Sequence, residues 1–178
     1  MNKRQKGFSL IELLIVVAII LIIAAIAIPN LLRAKIAANQ SSAAASLRTL
    51  GSASVMYSST YGNGFPTTML ELAPPASGTA ISCDAASLID STLASGSKSG
   101  YSFLITASTN TVTTKGSGCT TAGAQDMFMF NANPVSASTG TVFYCNDASN
   151  VILQSNAVIP QDGTTLGCDA TAGSPLGN

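Results

Sequence analysis

The sequence predicts an α+β protein in which one long N-terminal α-helix packs on a small antiparallel β-sheet of about four strands. Three observations predict this fold class. Residues 8–28 form an almost unbroken apolar run, and helical spacing of apolar residues continues from there to Tyr61. Several short runs rich in β-branched and aromatic residues then follow between residues 100 and 155, separated by turn-forming residues.

Charged residues are scarce and unevenly placed. They make up 9% of the 178 residues, whereas roughly 25% is usual. Three of the eight basic residues precede Gly7, and beyond it five basic residues face eight acidic ones. Surfaces that bind nucleic acid need clustered lysine and arginine, so this weakly acidic body predicts no specific nucleic-acid partner.

The apolar run is long enough to cross a membrane. From Phe8 to Ile28 only Ser9 and Glu12 are not apolar. At about 1.5 Å per residue the helix is roughly 31 Å long, close to the hydrocarbon core of about 30 Å. The basic residues ahead of it predict that the N-terminus stays cytoplasmic and that the rest is exported.

Two simple interpretations of the apolar run are a cleaved secretory leader and a plain signal anchor, and neither gives Glu12 a function. A cleaved secretory leader has an apolar region of only about 7–15 residues, followed by a cleavage site on its far side. A plain signal anchor fits the hydropathy but leaves Glu12 unexplained, because a charge at mid-membrane costs about 3 kcal/mol or more.

Residues 30–61 are predicted to continue the helix with one narrow apolar face. This face is expected to pack on the sheet. Its members are Leu32, Ile36, Ala43, Leu47, Leu50, Tyr57 and Tyr61. The glycines and proline of residues 61–66 predict the end of the helix.

The remainder, residues 62–178, is predicted to form a globular head. Residues 69–78 are expected to be a turn-rich connector, and residues 84–96 a short helix with Asp84 as N-cap and Gly96 near its C-terminal end. The predicted strands are residues 100–106, 110–115, 126–130, 141–145 and 150–155. The last two are expected to form a hairpin.

Four widely spaced cysteines lie in the second half of the chain: Cys83, Cys119, Cys145 and Cys168. In an exported chain an even number of cysteines favours two disulfides over free thiols, with three possible connectivities. Proximity along the sequence alone prefers Cys83–Cys119 and Cys145–Cys168.

The sequence offers no catalytic constellation. Histidine is absent, the acids are scattered, and neither a G-x-S-x-G nucleophile motif nor a P-loop occurs. Asp147, Asp162 and Asp169 could supply oxygen ligands to calcium, but their spacing matches no recognised loop, and solvated turn residues are the simpler interpretation. We expect no enzyme, no metal and no cofactor.

The N-terminal string KGFSLIELLIVVAIILIIAAIAIPN resembles the N-terminus of type IV pilins and of the related pseudopilins of type II secretion. The matching residues are Gly7, Phe8, Ser9, Leu10, Ile11, Glu12 and Pro29. The resemblance implies a leader of residues 1–7 that a prepilin peptidase removes by cleavage between Gly7 and Phe8. It also implies N-methylation of Phe8 by the same processing system.

This resemblance gives Glu12 a role. Cleavage would create an α-amino group on Phe8 that is largely cationic at neutral pH, and Glu12 lies four residues further along the same helix face. In a filament, each Glu12 could pair with the amine of a neighbouring copy, since a matched buried pair is tolerated where a lone charge is not. Pro29 either ends the membrane span or, as the resemblance implies, forms a flexible point in a longer helix.

The leading hypothesis is a structural subunit of a type IV pilus-like surface filament. Expected partners are other copies of the chain, the prepilin peptidase and methyltransferase, an inner-membrane assembly platform, and the lipid bilayer before assembly. The precursor would reside in the bacterial inner membrane, which residues 8–29 would span, and the assembled filament would lie on the cell surface. The alternatives are a pseudopilin in a periplasmic filament of a type II secretion system, and an uncleaved membrane-anchored binding domain.

Overall fold

The computed structural model describes residues 8–124, 127–162 and 167–177. The chain divides into two compact units, one ending at Lys35 and the other comprising Ile36–Asn178. The helices are α1 Leu10–Tyr61, α2 Met69–Leu72 and α3 Ser91–Ala94. The strands are β1 Ser97–Lys98, β2 Tyr101–Ala107, β3 Phe128–Pro134, β4 Phe143–Asp147, β5 Ile152–Ser155 and β6 Ser174–Pro175.

The α+β class is confirmed, but the sheet has six strands and the expected number of about four was too low. Its order is β1-β2-β3-β4-β5-β6, with every neighbouring pair antiparallel. The two additional strands are two residues long each, which is too short for an alternating pattern to show in the sequence. The predicted hairpin is β4–β5, with Tyr144 opposite Gln154.

The predicted strand at residues 110–115 is absent from the sheet, and that prediction was wrong. Thr111 makes a single bridge to Ala124, and Val112 donates a backbone hydrogen bond to Gly123. Threonine and valine favour extended backbone, but a strand also needs a neighbour to pair with along its length. Here β2 already pairs with β3 along its whole length.

One face of α1 is buried against the sheet from Ala43 to Tyr57. Ala43, Leu47 and Leu50 are fully buried, and they belong to one hydrophobic cluster with Phe128 and Phe130 of β3. The predicted apolar face is therefore confirmed in its middle part. Its two ends differ, since the side chain of Leu32 is 47% exposed and that of Tyr61 is half-buried.

The opposite face of the sheet carries a second, smaller cluster. It consists of Met129, Cys145, Leu153, Ile159 and Cys168, with Ala172 packed on it. The side-chain amide of Asn131 donates to the carbonyl oxygen of Ile159 at 3.0 Å and holds the C-terminal segment on this face. The sheet is thus covered by α1 on one face and by the C-terminal segment on the other, which we call the far face.

Both short helices differ from the prediction. Asp84 does not cap a helix, because its Oδ1 accepts hydrogen bonds from the amide and hydroxyl of Thr120. The N-cap of α3 is Asp90, whose Oδ1 accepts from the Leu93 amide at 2.8 Å. Gly96 follows the C-cap with φ +77°, a left-handed conformation that favours glycine.

A helix also occurs inside the predicted connector. Helix α2 begins after Thr68, and the carboxylate of Glu71 accepts from the amides of Thr67 and Thr68 at 2.6 and 3.4 Å. These bonds satisfy backbone donors at the helix start, which explains how a buried carboxylate is tolerated there. The Pro74–Pro75 pair follows the C-cap residue Ala73, so the two prolines lie outside the helix.

Candidate functional site

The N-terminal end of α1 contains a hydrogen bond that connects Ser9 to Glu12. Ser9 precedes the first helical residue, and its carbonyl oxygen accepts from the Leu13 amide at 3.2 Å. The Ser9 amide donates to Oε2 of Glu12 at 3.0 Å. This is one half of a capping box, in which the N3 glutamate satisfies the amide of the N-cap residue.

Glu12 therefore has a partner within its own chain. From the sequence alone this carboxylate is expected to be isolated in the apolar run, and Ser9 is not identified as its partner. The signal was present, because serine followed three residues later by glutamate, just before an apolar run, is a known helix-start pattern. The bond occupies one carboxylate oxygen and leaves the negative charge in place.

The first half of α1 exposes apolar side chains in every direction. All of its large apolar side chains from Leu10 to Ile28 are between 46% and 80% exposed. Among the described residues, α1 is the one helix that is long enough and apolar enough to cross a membrane. This is a criterion of length and composition, and a signal sequence also meets it. An apolar surface of this size marks a segment that lipid or protein covers.

Pro29 lies inside α1, so it does not end the helix. Proline lacks the amide hydrogen that would bond to the carbonyl of the preceding turn. The next residue adds a compensating contact, since the side-chain amide of Asn30 donates to the carbonyl oxygen of Ile26 at 3.0 Å. Whether Pro29 makes the helix flexible stays a prediction, as do the roles of Phe8 and Glu12. Gly7 lies outside the described residues.

Two disulfides close the head. Cys83 is bonded to Cys119 and Cys145 to Cys168, with Cα–Cα distances of 4.9 and 5.9 Å. These are the pairs that sequence proximity preferred. In the first pair Cys83 is fully buried beside the hydroxyl of Tyr57, which lies 2.8 Å from Cys83 Sγ. The second attaches the C-terminal segment to β4, on the far face of the sheet.

The acids near the C-terminus act as acceptors within turns. Asp147 accepts from the amides of Ser149 and Cys168, each at 2.9 Å. Asp169 accepts through Oδ1 from the hydroxyl and amide of Thr171, and these hydrogen bonds lower its pKa. Over residues 8–124, 127–162 and 167–177, no three acidic or cysteine side chains are grouped as metal ligands.

The buried tyrosines are held in the neutral form. Burial raises the pKa of Tyr101 to about 12, and its hydroxyl donates to the carbonyl oxygen of Val142 at 2.9 Å. Burial also raises the pKa of Tyr57 and of Tyr144. A phenol with a raised pKa does not ionise near neutral pH, so these side chains serve packing and hydrogen bonding.

Comparison with known proteins points to the N-terminal end of α1. Residues 2–28 match the family described as the prokaryotic N-terminal methylation motif. The chain is similar to the type IV major pilin protein PilA of Myxococcus xanthus, with 55% identity over 49 residues, which cover 28% of this chain and 22% of that protein. It is also similar to the type IV wide pilus major component PilA4 of Thermus thermophilus, with 65% identity over 37 residues, covering 21% of this chain and 28% of that protein.

The similarity is thus confined to a short segment. The chain spans 22% and 28% of the lengths of these two relatives. No solved structure matches the chain. The chain carries an N-terminal methylation motif like that of type IV major pilins.

Proposed function

We propose that this chain is the structural subunit of a type IV pilus-like filament. The precursor inserts in the inner membrane through the first half of α1, and a prepilin peptidase removes residues 1–7. Phe8 becomes the methylated N-terminus, and the helices of many copies then pack together in the filament. The observation that carries the proposal is the combination of the methylation motif with a helix that is apolar and exposed on all sides.

The all-round apolar surface supports a helix that lies first in lipid and later among other helices. A helix that packs permanently on one neighbour needs only one apolar stripe. The first half of α1 has no such restriction, because polar side chains between Phe8 and Ile28 are limited to Ser9 and Glu12. Both of these lie at its N-terminal end, where a filament would bring them against the N-termini of neighbouring copies.

The Glu12 carboxylate determines the register in which neighbouring helices pack. Its bond to the Ser9 amide satisfies one oxygen but does not neutralise the charge. The cationic amine of Phe8 on a neighbouring copy would do so, and a misaligned copy would leave both charges unpaired in a medium of low dielectric constant. Register is therefore expected to depend on the charge of Glu12.

Processing is tested by mass spectrometry of the purified protein, combined with electron microscopy of sheared cell-surface material. We expect a mature chain that begins with methylated Phe8 and filaments that contain it. An intact Met1 on a membrane-bound single copy would instead identify an uncleaved anchor. Filaments confined to the periplasm would identify a secretion pseudopilin.

The mechanism is tested by Glu12→Ala and Glu12→Gln. Glutamine can still accept a hydrogen bond from the Ser9 amide, because it also serves at the N3 position of a capping box. We expect both variants to insert and be cleaved while the yield of sheared filaments collapses. Filament yield that survives in Glu12→Gln would show that helix capping, rather than charge pairing, is the function of Glu12.

A further inference from the structure

Arg48 lies at the centre of the exposed face of α1 in the head. It lines a groove of about 340 Å³ with Met56 and Leu88, and a second groove of about 320 Å³ with Tyr144 and Leu176. Within the described residues its guanidinium makes no hydrogen bond or ion pair. Guanidinium groups prefer planar, bidentate carboxylate partners, so Arg48 is a cation without its natural partner.

Charge is segregated along the chain in a way that supplies such a partner. Residues 13–70 contain three basic residues and no acidic one, whereas residues 71–178 contain seven acidic and two basic residues. One ion pair forms within the part of the chain that the structure describes, between Lys98 and Asp90 at 2.9 Å. The exported part of α1 and the rest of the head are therefore complementary in charge between copies.

Most of the acids that the structure describes in the head are already engaged. Glu71 and Asp147 accept backbone hydrogen bonds, Asp90 pairs with Lys98, and Asp162 has interactions of its own. Asp169 uses only Oδ1, in its turn with Thr171, and no described residue donates to its Oδ2. That oxygen is available to a partner.

Asp169 and Arg48 lie on opposite sides of the sheet. Side chains alternate along β4, where Asn146 donates to the carbonyl oxygen of Leu47 in α1, and Cys145 points to the far face. Asp169 directly follows Cys168, the disulfide partner of Cys145. No described residue donates to Oδ2 of Asp84 either, but Asp84 follows Cys83, which packs in the cluster on the α1 side.

We propose that the Arg48 face of one copy binds the far face of a second copy, with Arg48 paired to Asp169. This inference rests on the proposed function, because it names a contact between the heads of filament subunits. Two different surfaces on opposite sides of one molecule make a heterologous contact, which adds copies in one direction and generates a helical filament unless it closes into a ring. The apolar side chains beside Arg48, including Met56 at 55% exposure, supply contact area around the pair.

Charge reversal in the full-length chain tests the pair. We expect Arg48→Glu and Asp169→Lys each to lower the yield of sheared filaments by about tenfold, since like charges placed against each other are strongly disfavoured. The double variant restores the opposite charges and should return the yield to about that of the unmodified chain. Lys115→Glu is the matched control, because it reverses an exposed cation outside both grooves, and it should leave the yield unchanged.

Each outcome is decisive when folding is checked in parallel. Formation of both disulfides, seen by mobility on non-reducing gels, and normal membrane levels identify variants with an intact head. Unchanged yield in Arg48→Glu, or single losses that the double variant does not restore, would overturn the pairing while filaments of the unmodified chain keep the proposed function. An unmodified chain that forms no filament would overturn both.

Discussion

Helix α1 has two parts that differ in what surrounds them. In residues 10–28 every large apolar side chain is exposed, and the one polar side chain, Glu12, lies at the N-terminal end. In residues 36–61 one face is buried in the head, from Ala43 to Tyr57, and the other carries serine, threonine and Arg48. A single regular backbone therefore presents two surfaces with different requirements.

The difference shows that helix formation and helix burial are separate properties of the sequence. Backbone hydrogen bonds form in both parts, so the same geometry results. Tertiary contacts within the chain stabilise only the second part. The first part has no such cover within the described chain. Under the proposed function its substitutions should therefore alter assembly, whereas those in the second part should alter folding.

The largest expected contrast comes from one chemical change made in each part. Leu50 is fully buried and Leu21 is 63% exposed. Leu50→Ala should lower the free energy of unfolding of the head by about 2–5 kcal/mol, because it leaves a cavity in a packed core. Leu21→Ala should leave that free energy unchanged. Denaturant unfolding of the full-length protein in detergent, followed by near-ultraviolet circular dichroism, measures both. Equal effects of the two variants would contradict the division of α1.

A smaller contrast is expected at Gly51, the one glycine within α1. In an exposed helix, replacing glycine by alanine stabilises by about 1 kcal/mol. At Gly51 a Cβ atom would overlap the side-chain amides of Asn146 and Asn150. Asn146 is fully buried and hydrogen-bonded to Leu47, so it cannot move away without losing that bond.

We therefore expect Gly51→Ala to destabilise the head by about 1–3 kcal/mol, as overpacking does. Ser52→Ala, at the neighbouring exposed position, serves as the control and should be neutral or slightly stabilising. The same denaturant titration measures both variants. A gain in stability at Gly51 would show that the sheet approaches α1 less closely than described.

The smallest effect concerns Asp90, the N-cap residue of α3 in the head. Lys98, together with the Leu93 amide, lowers the pKa of Asp90 below its ordinary value of 3.8. Its stabilising contribution is therefore complete above pH 3.8 and is lost as the pH falls through the lower, folded-state pKa.

Asp90→Ala should cost about 1 kcal/mol near neutral pH, the usual cost of losing an N-cap. The difference from the unmodified protein should shrink below about pH 4, where aspartate is protonated in unfolded chains. Asp90→Asn keeps a capping oxygen without the charge and should recover the capping part of the loss, but not the part that depends on pH. Thermal unfolding measured across this pH range tests both, and a difference independent of pH would contradict the charged interaction with Lys98.

Much of the fold could be predicted because its signals are local and repeated. The length of α1 follows from apolar spacing up to Tyr61, and β2 to β5 follow from β-branched and aromatic runs. Residues 110–115 have the same composition but lack a pairing partner, which only the tertiary arrangement decides. Asp84 illustrates the same limit, since its partner Thr120 lies 36 residues away.

The candidate site was predictable in its motif and less so in its contacts. Gly7, Phe8 and Glu12 could be selected from a characteristic string, and the pattern of Ser9 and Glu12 was legible as a capping signal. Arg48 could not be recognised, because a lone arginine on a helix is usually a solvated side chain. The proposed pairing of Arg48 depends on the grooves beside it and on the position of Asp169 across the sheet.

The bond between the Ser9 amide and Glu12 also bears on how easily a subunit could leave a filament. Under the proposed function, Glu12 exchanges its arrangement with the Ser9 amide for one that includes a neighbour's amine when a copy joins the filament. The free energy gained by joining is then only the difference between these two arrangements. A copy that detaches returns to a resting geometry already built into its own first turn. Such a balance suits recycling, in which the same chains pass between a lipid reservoir and the fibre without new synthesis.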